Sequence, residues 1–323
     1  MVLTPDFAAS SPSSPGRLNL YSLRRLEYLL GFDRAYFFAL ASLAGNHYNP
    51  FPKRDRPLPF PRKAKPTKQR TIDNPTQELK TIQSRINERL LKTCALPANI
   101  LGGIQGKSVI DNAQLHRSSK VLVKIDIARF FPSITNNHVY YVWRHVLGCS
   151  PRISALLTRL TTFERHLPQG APTSTSLANL VLYSIDRPIR GECARLGIQY
   201  SSLIDDLAFS SDNPRPIIGV VIATLRKSGF HVSRRKLTIC GRRDRKVLNS
   251  IVLGTHGLGV LPDRLANIRS GIHKLRQGLV RSEELDSYVR SLRGRISNVA
   301  TICPEKAARF RRKLDAVLRQ IEI

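Results

Sequence analysis

Three aspartates carry the sharpest chemical signal in this chain. Asp126 ends the hydrophobic run VLVKIDI (121–127), and Asp205-Asp206 sits between QYSSLI and LAFSS. Val121, Val123 and Ile125 alternate with Leu122, Lys124 and Asp126, the pattern of a buried strand that finishes in a carboxylate. The residues around the aspartate pair predict a hairpin with the pair at its turn. Aspartates in hairpin turns are common and taken alone are structural. A strand-end aspartate beside such a pair reads differently, because neighbouring carboxylates repel one another unless a divalent cation sits between them. Mg2+ held by carboxylates and substrate phosphates aligns an attacking 3′-hydroxyl with a nucleotide α-phosphate and neutralises the pyrophosphate leaving group. Nucleotidyl transfer is therefore the chemistry these residues predict.

The elements that must position them are legible along the chain. Residues 1–17 read as a disordered, Pro/Ser/Ala-rich tail. Residues 18–47 read as N-terminal helices, with Gly31 as a break. From 49 to 70 the chain is rich in proline, lysine and arginine, and only Asp55 offsets eight basic residues between Lys53 and Arg70. That run predicts an extended or looped basic arm, either solvated or in contact with phosphates. Pro75 precedes an amphipathic helix with Leu79, Ile82, Ile86 and Leu90 on one face. Helices follow around 138–146 and 151–160, and LPQGAPTSTSLANLVLYSID opens as a turn and closes as a helix. A helix over 217–228 leads through Gly229 into FHVSRRKLTIC, which predicts a strand, and KVLNSIVLG with GLGV predicts a further hairpin. From Asp263 three basic helical segments follow, the last opening at Pro304-Glu305.

Bulk properties narrow the partners. A formal net charge of +29 on 323 residues would self-repel unless a polyanion neutralised it, and nucleic acid is the usual one. The five cysteines include no C-x-x-C pair, which speaks against zinc and against a disulfide framework. No apolar run approaches membrane-spanning length and the N-terminus lacks a signal-peptide layout. The expectation is a reduced, cytoplasmic protein with no membrane partner.

Several ordered motifs then resemble one family. VKIDIARFFPSI, LPQGAPTSTSLANLVL and LIDDLAFS are similar to the palm motifs of bacterial retron-type reverse transcriptases, a group that includes phage-defence enzymes. RTIDNPTQELKTIQSRI resembles their fingers segment, GFHVSRRK their glycine-to-lysine motif, NAQLH their N-A-x-x-H signature, and LRGRISNVATICPEKAARFRRKL their helical thumb. The resemblance implies an α+β, right-hand polymerase: fingers over 48–118, a palm of antiparallel sheet and helices over 119–258 with a fingers-type helical insertion near 137–165, and a helical thumb over 259–323. It implies two-metal-ion catalysis with Mg2+, for which Mn2+ can substitute. Asp126, Asp205 and the Ile127 carbonyl would hold metal, with Asp206 completing the cluster. Arg70 would meet the incoming triphosphate and Gln169 would line the nucleotide pocket. Phe131 would crowd a ribose 2′-hydroxyl, or else pack beside Phe130. Lys236 would protonate pyrophosphate, or belong to a phosphate-binding face. Lys53, Arg54, Lys68, Arg234 and Arg235 would hold nucleic acid; Asn112 and His116 would touch RNA, or His116 would be structural.

The implied function is RNA-directed DNA synthesis on a dedicated structured non-coding RNA, using dNTPs, in a retron or antiviral defence setting that leaves room for an effector protein. Two other readings fit the charge: an idle RNA-binding protein with this fold, and a template-independent terminal transferase. Two departures stand out. Leu203-Ile204 replaces Tyr-Ala before the aspartates, which removes a hydroxyl near the primer end while keeping apolar bulk. Leu248-Asn249 stands where retron enzymes carry Thr-Gly, in a segment associated with recognition of their own RNA.

Overall fold

The computed structural model describes residues 15–54, 69–255 and 257–321. Most of the expected tail (1–14) and Lys68 of the basic arm lie outside the described residues, as does the side chain of Arg54. The chain forms two compact units. The first comprises Met1–Lys53, Arg70–Ser108 and Lys120–Ile239; the second comprises Arg54–Gln69, Val109–Ser119 and Cys240–Ile323.

In the first unit, β1 (Tyr48–Arg54) pairs with β2 (Gln69–Pro75), and a four-stranded sheet has the order β4-β5-β3-β6. Its members are β3 (Val121–Asp126), β4 (Gln199–Leu203), β5 (Asp206–Ser211) and β6 (Thr238–Cys240). β3 and β4 both run antiparallel to β5. The two inner strands are buried on both faces, as an apolar run without polar alternation requires. Helices Ser174–Ile185 and Ile217–Lys227 and the long helical stretch from Gln77 contribute Leu177, Val181, Val221, Leu225, Leu79 and Ile82 to the same core. Gly31 ends helix Leu23–Leu30 in the left-handed conformation that residues with a Cβ avoid. Tyr200 of β4 stacks on Phe209 of β5 at 4.8 Å between ring centroids.

FHVSRRKLTIC departs from the strand its composition predicts. Val232 makes only an isolated bridge to Ile127, residues 234–236 turn, and regular pairing resumes at β6. The Ser233 amide donates to the Asp126 carbonyl at 2.8 Å and the Lys236 amide donates back to Ser233. These bonds satisfy the backbone locally and end the strand.

In the second unit, β7 (Val247–Leu248), β8 (Ile251–Gly254) and β9 (Gly257–Val260) form an antiparallel meander. Helices Pro262–Arg276, Leu285–Ala300 and Pro304–Ile321 pack around Ile268, Leu292, Ile296, Phe310 and Leu314. Helix Val109–Leu115 packs on β8. No helix among the described residues is long and apolar enough to cross a membrane.

His116, just after that helix, is fully buried, and burial drives its imidazole down from 6.5 to about 4. The neutral ring therefore supports the fold above pH 6.5, and that support is lost as pH falls toward 4. A native minus His116→Asn difference in unfolding free energy should shrink by up to about 3 kcal/mol across that window. A difference independent of pH would show that the ring does not titrate with folding.

Candidate active site

The three aspartates converge through strand pairing. Asp126, the last residue of β3, lies directly opposite Asp206, the first residue of β5, and Asp206 is also opposite Leu203 at the end of β4. Ile204 and Asp205 form the two-residue loop between β4 and β5, so Asp205 stands at the same edge. Ile204 has φ +64°, the positive angle that the first loop position of a II′ hairpin requires. A β-branched residue is strained there, at a cost of about 1–3 kcal/mol that the surroundings must offset. Two contacts hold it. The Ile127 amide donates to the Asp205 carbonyl at 3.0 Å. On the other side, segment 99–103 runs along β4: the Leu101 amide donates to the Ser202 carbonyl (2.9 Å) and the Ser202 amide to the Asn99 carbonyl (2.7 Å). Buried Asn179 of helix Ser174–Ile185 donates to the Gly102 carbonyl at 2.7 Å. Gly102 lies so close to the loop that a Cβ there would come within 2.5 Å of the Ile204 backbone nitrogen.

The electrostatics follow from this crowding. Asp126 is buried, and the Lys236 ammonium forms an ion pair with its carboxylate. The turn at 234–236, tied by Ser233 to the Asp126 carbonyl, delivers that lysine. Partial burial, then the charge of Asp126, raises the Asp205 carboxyl above its ordinary value, while Lys236 and Arg70 oppose the shift. Partial burial, then Asp205 and Asp126, pushes Asp206 up to about 6. The Asp206 residue surface is exposed, so water screens part of that effect. Among the described residues no three His, Cys, Asp or Glu side chains form a preformed ion cage. The donor chemistry nevertheless fits a hard divalent cation: carboxylate oxygens at one edge, with repulsion that one lysine relieves only in part.

The remaining expected residues differ in where the structure places them. Arg70, on β2, is near enough for its charge to act on Asp205. Half-buried Phe131 packs on the core with its ring 6.1 Å from that of Phe130, while Phe130 itself is buried against Phe230. Ile127 is buried with its amide bonded to Asp205. Gln169 is half-buried, and its loop lies on β2. Lys53, Arg234 and Arg235 are exposed in the first unit. Asn112 and His116 are buried in the second unit, where Asn112 donates to the Asn249 side chain at 2.7 Å.

Two residues that shape the site went unnamed in the sequence. Gly102 gave a signal in the glycine-rich LGGIQG turn. Asp73, the one acid in RTIDNP, binds the Gln169 amide through its carboxylate at 2.9 Å. Nothing local distinguishes it from a solvated charge, since its partner is 96 residues away.

A family profile described as reverse transcriptase (RNA-dependent DNA polymerase) matches residues 52–255, a span that holds all three aspartates. The chain is 28% identical over 236 residues to the retron Ec86 reverse transcriptase of Escherichia coli, covering 72% of each chain. It is 29% identical over 229 residues to the retron Se72 reverse transcriptase of Salmonella heidelberg (strain 579083-10), covering 69% of this chain and 58% of that one. With the retron Mx65 reverse transcriptase of Myxococcus xanthus it shares 28% over 264 residues, 76% of this chain and 61% of the relative.

Because Gly102 braces the hairpin by close approach, Gly102→Ala is expected to cost about 1–3 kcal/mol of unfolding free energy. Gly191→Ala, where an added Cβ meets nothing within 4 Å, is the control and should not destabilise. Equal denaturation midpoints for Gly102→Ala and native protein would show that the brace is dispensable.

Proposed function

The chain belongs to the reverse transcriptase (RNA-dependent DNA polymerase) family, and from that premise we propose that Asp126, Asp205 and Asp206 are its catalytic carboxylates. The observation that carries this reading is the register of β3 on β5, with Asp126 opposite Asp206 and Asp205 at the adjoining loop. RNA-directed DNA synthesis is the activity, in a retron-type system, as the kinship with retron reverse transcriptases supports. Polymerases of this family use divalent metal ions. Asp126 and Asp205, with the Ile127 carbonyl, would hold Mg2+, two ions per site and replaceable by Mn2+, and Asp206 adds charge at the same edge. When bound, the metal supplies positive charge at the attacking 3′-hydroxyl and at the leaving pyrophosphate.

The chain's own side chains do the rest. Arg70 meets the triphosphate, Gln169 lines the nucleotide pocket, and Phe131 leaves no room for a ribose 2′-hydroxyl. Lys236 carries a proton at Nζ beside the carboxylates, where it can hold a pyrophosphate oxygen or protonate it. In right-hand terms the fingers span 48–118, the palm 119–258 with its helical insertion near 137–165, and the thumb 259–323. Exposed Lys53, Arg234 and Arg235, with Arg54 and Lys68 of the same basic arm, contact phosphates of a structured non-coding RNA and its DNA product, so affinity falls steeply with salt. The setting is cytoplasmic, with defence and an effector protein as its context.

Purified protein with Mg2+, labelled dNTPs and a primed RNA is expected to incorporate label, and Asp205→Ala to abolish it. Incorporation without RNA would favour terminal transfer, and none at all would favour an idle RNA binder. Phe131→Ala should raise ribonucleotide incorporation at least about tenfold relative to dNTP, as the loss of a steric gate implies. An unchanged sugar preference would assign Phe131 to core packing beside Phe130.

A further inference from the structure

The joint between β2 and the Gln169 loop reaches past the carboxylates. We propose that Asp73 is a positioning residue that sets the nucleotide pocket by fixing the backbone of Gln169. The inference rests on the reading that Gln169 lines that pocket.

Two hydrogen bonds join the same two residues. The Asp73 amide donates to the Gln169 carbonyl at 2.9 Å, and the Gln169 amide donates to Asp73 Oδ2, also at 2.9 Å. A single bond would leave the loop free to pivot; a reciprocal pair removes both sliding and rotation of Gln169 against β2. Asp73 is only 7% exposed, so neither bond is readily exchanged for water. An ionised acceptor also makes the side-chain bond stronger than a neutral one would be. His166 Nε2 lies 3.4 Å from the same Oδ2, which adds a second group to the carboxylate.

The loop is also pressed onto β2 as closely as a backbone permits. Gly170 has φ +122°, and a Cβ there would come within 2.8 Å of Ile72 Cγ2. From the opposite side, the Ser174 hydroxyl donates to the Pro168 carbonyl at 2.6 Å. The pocket wall is thereby clamped between β2 and helix Ser174–Ile185. β2 has a second duty three residues earlier, because the charge of Arg70 acts on Asp205. One strand thus sets the group that meets the triphosphate and the wall beside it. A purely structural aspartate would affect stability alone. A positioning one should raise KM for the nucleotide while leaving the carboxylates, and hence kcat, largely as they are.

The test is dNTP titration in primer extension for native protein, Asp73→Ala, Asp73→Asn and Gly170→Ala, with unfolding temperature and primer–template affinity measured in parallel. Asp73→Ala should raise KM for dNTP roughly tenfold or more, with kcat within about threefold and primer–template affinity unchanged. Asp73→Asn should recover most of the loss, since its Oδ still accepts from the Gln169 amide. Gly170→Ala should raise KM from the other side of the joint, and it decides the matter if Asp73→Ala does not fold. A folded Asp73→Ala with native KM, an Asp73→Asn no better than alanine, or a Gly170→Ala with native KM would each overturn the proposal. A native protein that incorporates no dNTP would instead remove the polymerase reading itself.

Discussion

Asp126 and Asp206 face each other because β3 and β5 pair antiparallel in one register, and almost every functional feature of the first unit hangs on it. Side chains alternate along a strand, so a slip of β3 by one residue would carry Asp126 to the opposite face, away from Asp206. The register is protected by apolar content: Leu122, Val123, Ile125, Leu207 and Phe209 are all buried to within 1%. At the last step the apolar pair of Ile125 and Leu207 gives way to two opposed carboxylates. The core holds in place a contact that is repulsive on its own terms.

That repulsion organises the neighbourhood. Lys236 reaches Asp126 because the preceding segment abandons strand geometry and turns, and the turn is anchored on the Asp126 carbonyl itself. The backbone of Asp126 therefore positions the cation that its side chain needs. Strain in the aspartate hairpin falls on Ile204, whose positive φ is tolerated because Gly102 packs against it and Ile127 bonds the next carbonyl. The site is stiff where the carboxylates meet, and Asp206 remains open to solvent beside them.

Much of this was legible in the sequence because the signals are local. The strand ending at Asp126, the hairpin at Asp205-Asp206 and the helix of Leu79 and Ile82 each declare themselves within a dozen residues. What was not legible depends on long-range pairing. FHVSRRKLTIC has β-prone composition, and only the bond from Ser233 to Asp126, 107 positions away by subtraction, explains why it turns. Asp73 carries no local signal, because its partner lies far along the chain. Asn112 and His116 were legible as a motif, yet polarity alone could not say that both would be buried.

Buried Asn112 also meets Asn249 within the second unit. Asn249 and Ser250 both have positive φ, at +46° and +66°, which is the pattern of a two-residue I′ turn between β7 and β8. Glycine is the residue that adopts such angles most easily, but it would offer no side-chain oxygen. Asparagine tolerates the left-handed region and supplies the acceptor that buried Asn112 uses at 2.7 Å. Losing that hydrogen bond would cost about 0.5–1.5 kcal/mol. The side chain of residue 249 thus serves the helix as well as the hairpin. A change at either end of this contact must be read together with the other.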